Sequence, residues 1–191
     1  MTVETYSVRI RLRNETRDWH ELLERQVDVT SPGFDLNRYR QILRKFYGFY
    51  SPWEERAGEV CRNLPDAVAR RRKTPALRAD LECFGILPDE QPMCRELPEI
   101  RTVAEALGGC YVLEGATLGG QIISRHVKET LGLGPENGCR FFSGYGAETG
   151  RMWRSFEELL HRECEDDNAN ATVAGAKATF EAFSVWLRSK G

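Results

Sequence analysis

Apolar positions recur at helical spacing through most of the chain. Over residues 4–27, Val8, Leu12, Trp19, Leu22 and Leu23 fall on one stripe with arginines between them, which predicts a first helix. Thr30-Ser31-Pro32-Gly33 reads as a loop. Asp35 then caps a second helix, LNRYRQILRKFYGFY, with aromatic residues along one side. Ser51-Pro52 restarts or kinks it, since serine caps and proline is tolerated at a first helical position, and 53–61 continues in the same sense. Residues 65–72 and 75–84 read as two short helices joined at Lys73-Thr74. The stretch 85–98, with three prolines, is a loop and not a linker, because composition does not change across it. A helical run begins at 98–106, where Gly108-Gly109 is a candidate break. Residues 132–138 form a glycine-rich turn. Around Phe141, Phe142 and Tyr145 the form stays open, because Gly144 and Gly146 interrupt the pattern. The last two helices cover 148–164 and 171–187, the second amphipathic through Val173, Phe180, Phe183, Val185 and Trp186. With no strand pattern, repeat or low-complexity tract, the expectation is an all-α, irregular helical bundle in a single domain, 1–191.

The most informative stretch is 101–129, RTVAEALGGCYVLEGATLGGQIISRHVKE. It is periodic enough for a helix, yet it holds Gly115, Gly119 and Gly120. Each costs a helix about 0.8–1 kcal/mol relative to alanine. Gly115 and Gly119 are four apart and share a face, with Tyr111 one turn before and Ile122 or Ile123 one turn after. Two readings stay open. Either the small residues let another helix pack closely, or they leave bare main chain for a flat partner. A membrane dimerisation face is excluded, because Glu114, Gln121, Arg125, His126 and Lys128 interrupt the run of about 18 apolar residues that a span needs.

Composition narrows the classes. The 191 residues suit one domain with a full core, and 41% hydrophobic with 29% charged residues is a globular balance. A net charge of -2 gives no global attraction to nucleic acid or anionic membrane. Cys61, Cys83, Cys94, Cys110, Cys139 and Cys164 form no CxxC pair, and the first twenty residues contain no apolar signal core. Reduced thiols in a cytoplasmic protein, monomeric by default, are expected.

Only three histidines are present. His126 follows Arg125 near the end of the glycine helix, where positive charge complements the helix dipole. His161 stands among Arg162, Glu163 and Glu165 on a solvated-looking surface; both read as structural. His20 is different. Glu24 lies four residues on and can hold its second ring nitrogen, as the partner of a metal-ligating histidine does. Arg13, Thr16 and Arg17 lie on or near the same face, and Arg9, Arg11 and Arg13 lie toward one end, suited to anionic groups. No HExxH spacing and no Ser/His/Asp or Cys/His set is evident. A single axial histidine opposite a bare glycine backbone suits haem, held by one proximal histidine with an open distal side.

The run LRNETRDWHELLE, Leu12 to Glu24, together with YVLEGATLGGQII, Tyr111 to Ile123, resembles the bacterial haem oxygenases of the branch found in pseudomonads and pathogenic Neisseria. The resemblance covers most of the chain in helix order and length, and it implies that family's bundle. It makes His20 the proximal iron ligand and Glu24 the group that orients it. Gly115 and Gly119 become the distal glycines that let main chain and water approach iron-bound dioxygen. Arg13 and Tyr111 stand where propionate contacts are expected, with Thr16 beside them and Arg154, in RMWRSFEELL, as a further candidate. Phe180 or Phe183 would line the pocket, and Ala116 replaces a frequent serine. Haem would be both cofactor and substrate, opened by O2 and external electrons to biliverdin, CO and ferrous iron.

No flavin or nicotinamide fingerprint is present, so a ferredoxin, flavodoxin or NADPH-dependent reductase would supply the electrons. Arg9, Arg11, Arg70, Arg71, Arg72 and Lys73 offer it a basic docking face, although 70–73 also reads as a solvated helix end. A bacteriophytochrome is a candidate acceptor for the biliverdin. Three alternatives compete: a haem carrier or sensor without turnover, a thiaminase-like enzyme using Cys110 and Glu114, and a purely structural bundle.

Overall fold

A computed structural model describes residues 7–164 and 168–189. Among these, eight α-helices and three short 3-10 turns carry the fold, and there is no strand. The first predicted helix is two: α1, Val8–Glu15, and α2, Arg17–Val27. The bend falls at Thr16, where φ is -116° and ψ 6°. Its hydroxyl donates to the Leu12 carbonyl at 2.7 Å, a back-bond of the kind that bends helices. The expected start at residue 4 lies outside the described residues. The bend lets α1 lean on α7 and α8 while α2 runs along α8.

α3, Leu36–Val60, begins at Asp35, whose carboxylate accepts the Arg38 N–H at 2.8 Å. Pro52 lies inside this helix without ending it. A proline removes the N–H that would have bonded the carbonyl four residues back. That carbonyl, Gly48 O, instead accepts the Cys94 N–H at 2.8 Å. The approach is possible because residue 48 is glycine; a Cβ there would lie 2.4 Å from the Pro92 carbonyl oxygen.

Residues 65–72 do not form the expected helix; only a 3-10 turn forms, Ala69–Arg71. Its early carbonyls are spent elsewhere, Asp66 O on the Arg71 guanidinium at 2.7 Å and Ala67 O on the Cys110 thiol at 3.4 Å. α4, Thr74–Cys83, follows, then the proline-rich loop with its 3-10 turn Pro88–Glu90. α5, Val103–Leu131, starts in a capping box between Thr102 and Glu105 and ends at Gly132, whose φ of 70° suits glycine.

Gly108 and Gly109 do not break α5. They bring it into backbone contact with its neighbours. A Cβ at Gly108 would sit 1.9 Å from the Thr172 carbonyl oxygen on α8, and one at Gly109 2.2 Å from the Trp53 ring. From the other side, a Cβ at Gly175 would sit 2.3 Å from the Glu105 carbonyl oxygen. α6, Arg140–Ser143, is a single turn, followed by the 3-10 turn Gly146–Glu148. Asp80 on α4 sets that turn from a distance: 1% exposed, it accepts the Arg140 and Phe141 N–H groups at 2.7 and 2.8 Å. α7, Thr149–Cys164, and α8, Ala169–Arg188, complete the bundle.

One hydrophobic core joins all these helices, with Trp53, Tyr39, Tyr50, Phe49 and Phe156 among its fully buried side chains. Phe49 stacks on Phe183 at 4.5 Å, and Phe46 meets the same ring edge-on at 5.0 Å. The six cysteines are free thiols. No described helix is long and apolar enough to cross a membrane.

Candidate functional site

A cleft of about 300 Å³ opens between α2 and α5. One wall is α5, which presents Val112, Gly115, Ala116, Gly119, Ile122 and Ile123. The facing wall is α2 with His20, Leu23, Glu24 and Val27, continued by Asp28, Val29 and Thr30. The floor is aromatic: Phe46 and Tyr50 from α3, Phe142 from α6, Phe180 and Phe183 from α8.

The glycines of α5 divide by what lies in front of them. At Gly108, Gly109 and Gly120 a side chain would collide, at Gly120 with the Phe142 carbonyl oxygen at 2.8 Å. At Gly115 a Cβ would meet only the rim of the Trp153 ring at 3.9 Å, and at Gly119 nothing within 4 Å. Close packing therefore accounts for three of these glycines. It does not account for Gly115 and Gly119, the two that line the cleft.

His20 faces them from α2. Its ring is 59% exposed, with Nδ1 3.5 Å from the Glu24 carboxylate and its plane edge-on to Phe180 at 6.4 Å. With Nδ1 turned to Glu24, ring geometry directs Nε2 away from it, the nitrogen suited to a metal. Phe180 and Phe183 both reach the floor, as expected from the last helix.

Other predicted residues stand farther off. Thr16 is buried and its hydroxyl is committed to Leu12, off the cleft wall. Tyr111 packs on Trp153 at 5.8 Å, and burial pushes its phenol up while the Arg13 and Arg9 charges pull it down; none of the three lines the cleft. Arg154 belongs to another groove, between α1 and α7, which it lines with Arg9, Glu157 and His161. That groove shares no lining residue with the cleft.

The basic run 70–73 is divided: Arg70 and Arg72 are exposed, whereas Arg71 and Lys73 are neither solvated nor open for docking. Arg71 and Lys73 are 7% and 6% exposed and both pair with Glu114, at 3.0 and 2.6 Å. Arg70 stays outside with Asp66, and Arg72 reaches Glu54 at 3.4 Å. The same contacts remove the thiaminase-like reading, since Glu114 is consumed by ion pairs. Cys110 donates to Ala67 O, and burial raises its thiol pKa well above the ordinary range. His126 rests against the Phe34 ring with Nε2 3.3 Å from the Thr130 hydroxyl, in keeping with a structural role.

Phe46, Tyr50 and Phe142 were not singled out for the site by sequence, because an aromatic stripe reads as core. Here core and cleft floor are the same face. Tyr50 is 1% exposed, and burial with the Glu54 and Glu114 charges raises its phenol pKa, so it remains a protonated hydroxyl.

With this geometry in place, comparison with known proteins is decisive: the Heme oxygenase family model matches residues 7–189. The chain belongs to the heme oxygenase family. It is 30% identical to a Heme oxygenase of Xanthomonas campestris over 159 residues, covering 82% of this chain and 92% of that one. It is 26% identical to Heme oxygenase PigA of Pseudomonas aeruginosa over 194 residues, covering 97% and 96%. Its fold matches the NO- and CO-bound heme oxygenase of Neisseria meningitidis with TM-score 0.81, at 23% identity over 95% of this chain and 90% of that one. The expected all-α fold and the haem oxygenase resemblance are thus borne out, and the chain is an enzyme of haem degradation.

Proposed function

We propose that the cleft between α2 and α5 takes haem and that His20 would hold its iron. The enzyme opens the haem with O2 and external electrons to biliverdin, CO and ferrous iron. The observation that carries this reading is the pair Gly115 and Gly119, bare of contacts and opposite the His20 wall. The residues fit a flat, apolar, metal-bearing group: an imidazole on one side, open main chain on the other, and Phe180, Phe183, Val112 and Ile123 around its edge. When bound, haem supplies the redox-active iron and is itself the carbon skeleton oxidised.

The protein's part is binding, orientation and proton handling. Glu24 holds Nδ1 of His20 and fixes which nitrogen faces the iron. Arg13 and Tyr111, which the resemblance to the family places at the propionates, would offer positive charge and a phenol there. Gly115 and Gly119 leave room on the distal side and place no acid or base there. Ala116 lines the cleft without a hydroxyl, so protons would pass through water. Electrons arrive from a ferredoxin, flavodoxin or NADPH-dependent reductase docking beside Arg9 and Arg11 on α1. A bilin-binding protein such as a bacteriophytochrome would accept the product, and the enzyme would act as a cytoplasmic monomer.

The test is an absorbance time course with haemin and purified protein, to which ascorbate or a ferredoxin system is added. Loss of the Soret band with growth of biliverdin absorbance, unaffected by catalase, is expected. A Soret band that persists through reduction would identify a carrier instead. Unchanged haem affinity and turnover in His20→Ala would overturn the ligand assignment.

A further inference from the structure

Glu114 lies on α5 immediately before Gly115 and on the helix face turned away from the cleft. It is 2% exposed, yet it collects more polar contacts than any cleft residue. Its oxygens accept from Arg71 at 3.0 Å, from Lys73 at 2.6 Å, and from the Tyr145 hydroxyl at 3.0 Å each. Arg71 also donates to the Met152 carbonyl at 2.9 Å and the Ser155 hydroxyl at 3.1 Å, both on α7. The Lys73 N–H is held by Glu54 of α3 at 2.6 Å. Arg71, Lys73 and Tyr145 therefore converge on one side chain of α5, and Arg71 and Lys73 are themselves held by α7 and α3.

Such a cluster is not an economical way to stabilise a bundle. Replacing a buried ion pair by well-packed apolar residues is often neutral or stabilising, because desolvation offsets the Coulomb gain. What the cluster supplies is direction. Immediately after Glu114 the helix is at its weakest: Gly115, Gly119 and Gly120 each lack helix propensity, and the Thr117 hydroxyl competes for the Glu114 carbonyl at 2.7 Å. In front of Gly115 and Gly119 there is almost no protein to press against. A helix turn open on its front face has to be located from behind.

We propose that Glu114, clamped by Arg71, Lys73 and Tyr145, is the positioning residue that fixes the glycine segment of α5 and so sets the width of the cleft. It does not itself line the cleft, and it acts on the width through the backbone of residues 115–120. The inference about the helix stands on the apoprotein; its effect on the product rests on the reading that the cleft takes haem.

The test is amide hydrogen exchange on the apoprotein of Glu114→Gln and Tyr145→Phe. Glu114→Gln keeps the shape and removes the charge, and it should speed exchange at 115–120 by about tenfold while α3 and α8 keep their protection. Tyr145→Phe removes one hydroxyl and should act in the same direction by about threefold, which keeps the test alive if Glu114→Gln fails to fold. In the haem complex, the same variants should yield a changed mixture of biliverdin isomers, which a general loss of stability would not produce. Unaltered exchange at 115–120, or an equal acceleration in every helix, would overturn the proposal. If wild-type protein binds no haem, the proposed function fails and the exchange result still decides the clamp.

Discussion

Gly119→Ala is predicted to make the fold more stable and the enzyme worse. A Cβ at this position meets nothing within 4 Å, so the methyl costs the apoprotein no collision. It removes the helix penalty of glycine, about 0.8–1 kcal/mol. For a chain of this length each kcal/mol moves Tm by about 2–4 °C, so the apoprotein should melt about 2–4 °C higher. The same methyl stands on the wall of the cleft and would press on a flat ligand; overpacking of this kind costs about 1–3 kcal/mol, or roughly tenfold or more in haem affinity.

Gly108→Ala is the counterpart. Its Cβ would lie 1.9 Å from the Thr172 carbonyl oxygen, a backbone atom that cannot rotate away. The apoprotein should melt about 4–10 °C lower, without direct effect on the cleft. Thermal melts followed by circular dichroism, paired with Soret titrations, read both effects. A Gly119→Ala protein that melts higher and binds and turns over haem like wild type would refute the assignment of this wall to the ligand.

Further predictions concern single groups. Charge reversal at Arg13 should weaken haem binding by about tenfold, whereas Arg154→Glu, in the α1–α7 groove, should leave it unchanged; titrations of the two variants separate them. Glu24→Ala should lower haem affinity or turnover by about tenfold, the low end for loss of a ligand's partner, because the pair is exposed. Asp80→Asn should cost about 1–3 kcal/mol in denaturant unfolding, since the amide leaves one of two α6 N–H groups without its acceptor. Burial raises the Asp80 carboxyl pKa above its usual 3.8, so the folded state holds that proton more tightly than the unfolded one. The stability tied to that proton is present below pH 3.8 and lost as pH rises through the folded pKa. The wild-type advantage over Asp80→Asn should therefore shrink from pH 3.5 toward neutrality, and an advantage that grew over that range would contradict the cause given.

Much of this was legible in the sequence. Helical periodicity gave the bundle, and the spacing of His20 to Glu24 and of Gly115 to Gly119 gave both walls of the cleft. What could not be read was what stands opposite each residue. Gly108-Gly109 and Gly119-Gly120 are alike as strings, yet Gly108 meets a carbonyl of α8 while Gly119 meets open space. The run Arg70 to Lys73 looks solvated because its countercharge, Glu114, is some forty residues away in sequence. Thr16 could not be seen as a bend, since its hydroxyl chose the Leu12 carbonyl over solvent. The cap that Asp80 provides for α6 is a tertiary contact that no local motif announces.

The meeting of α5 and α8 has a consequence for redesign. Where Gly108 and Gly175 bring two backbones together, there is no side chain left to trim, and any added one would collide with main chain. The cleft wall formed by Gly115 and Gly119 lies on the same helix, about two turns past that crossing. The α2 wall has no such fixture: it ends in the turn at 28–34 and carries ordinary side chains, Leu23, Val27 and Val29, toward the cleft. Libraries meant to reshape the cleft belong on those side chains of the α2 wall, with the glycine crossing left untouched.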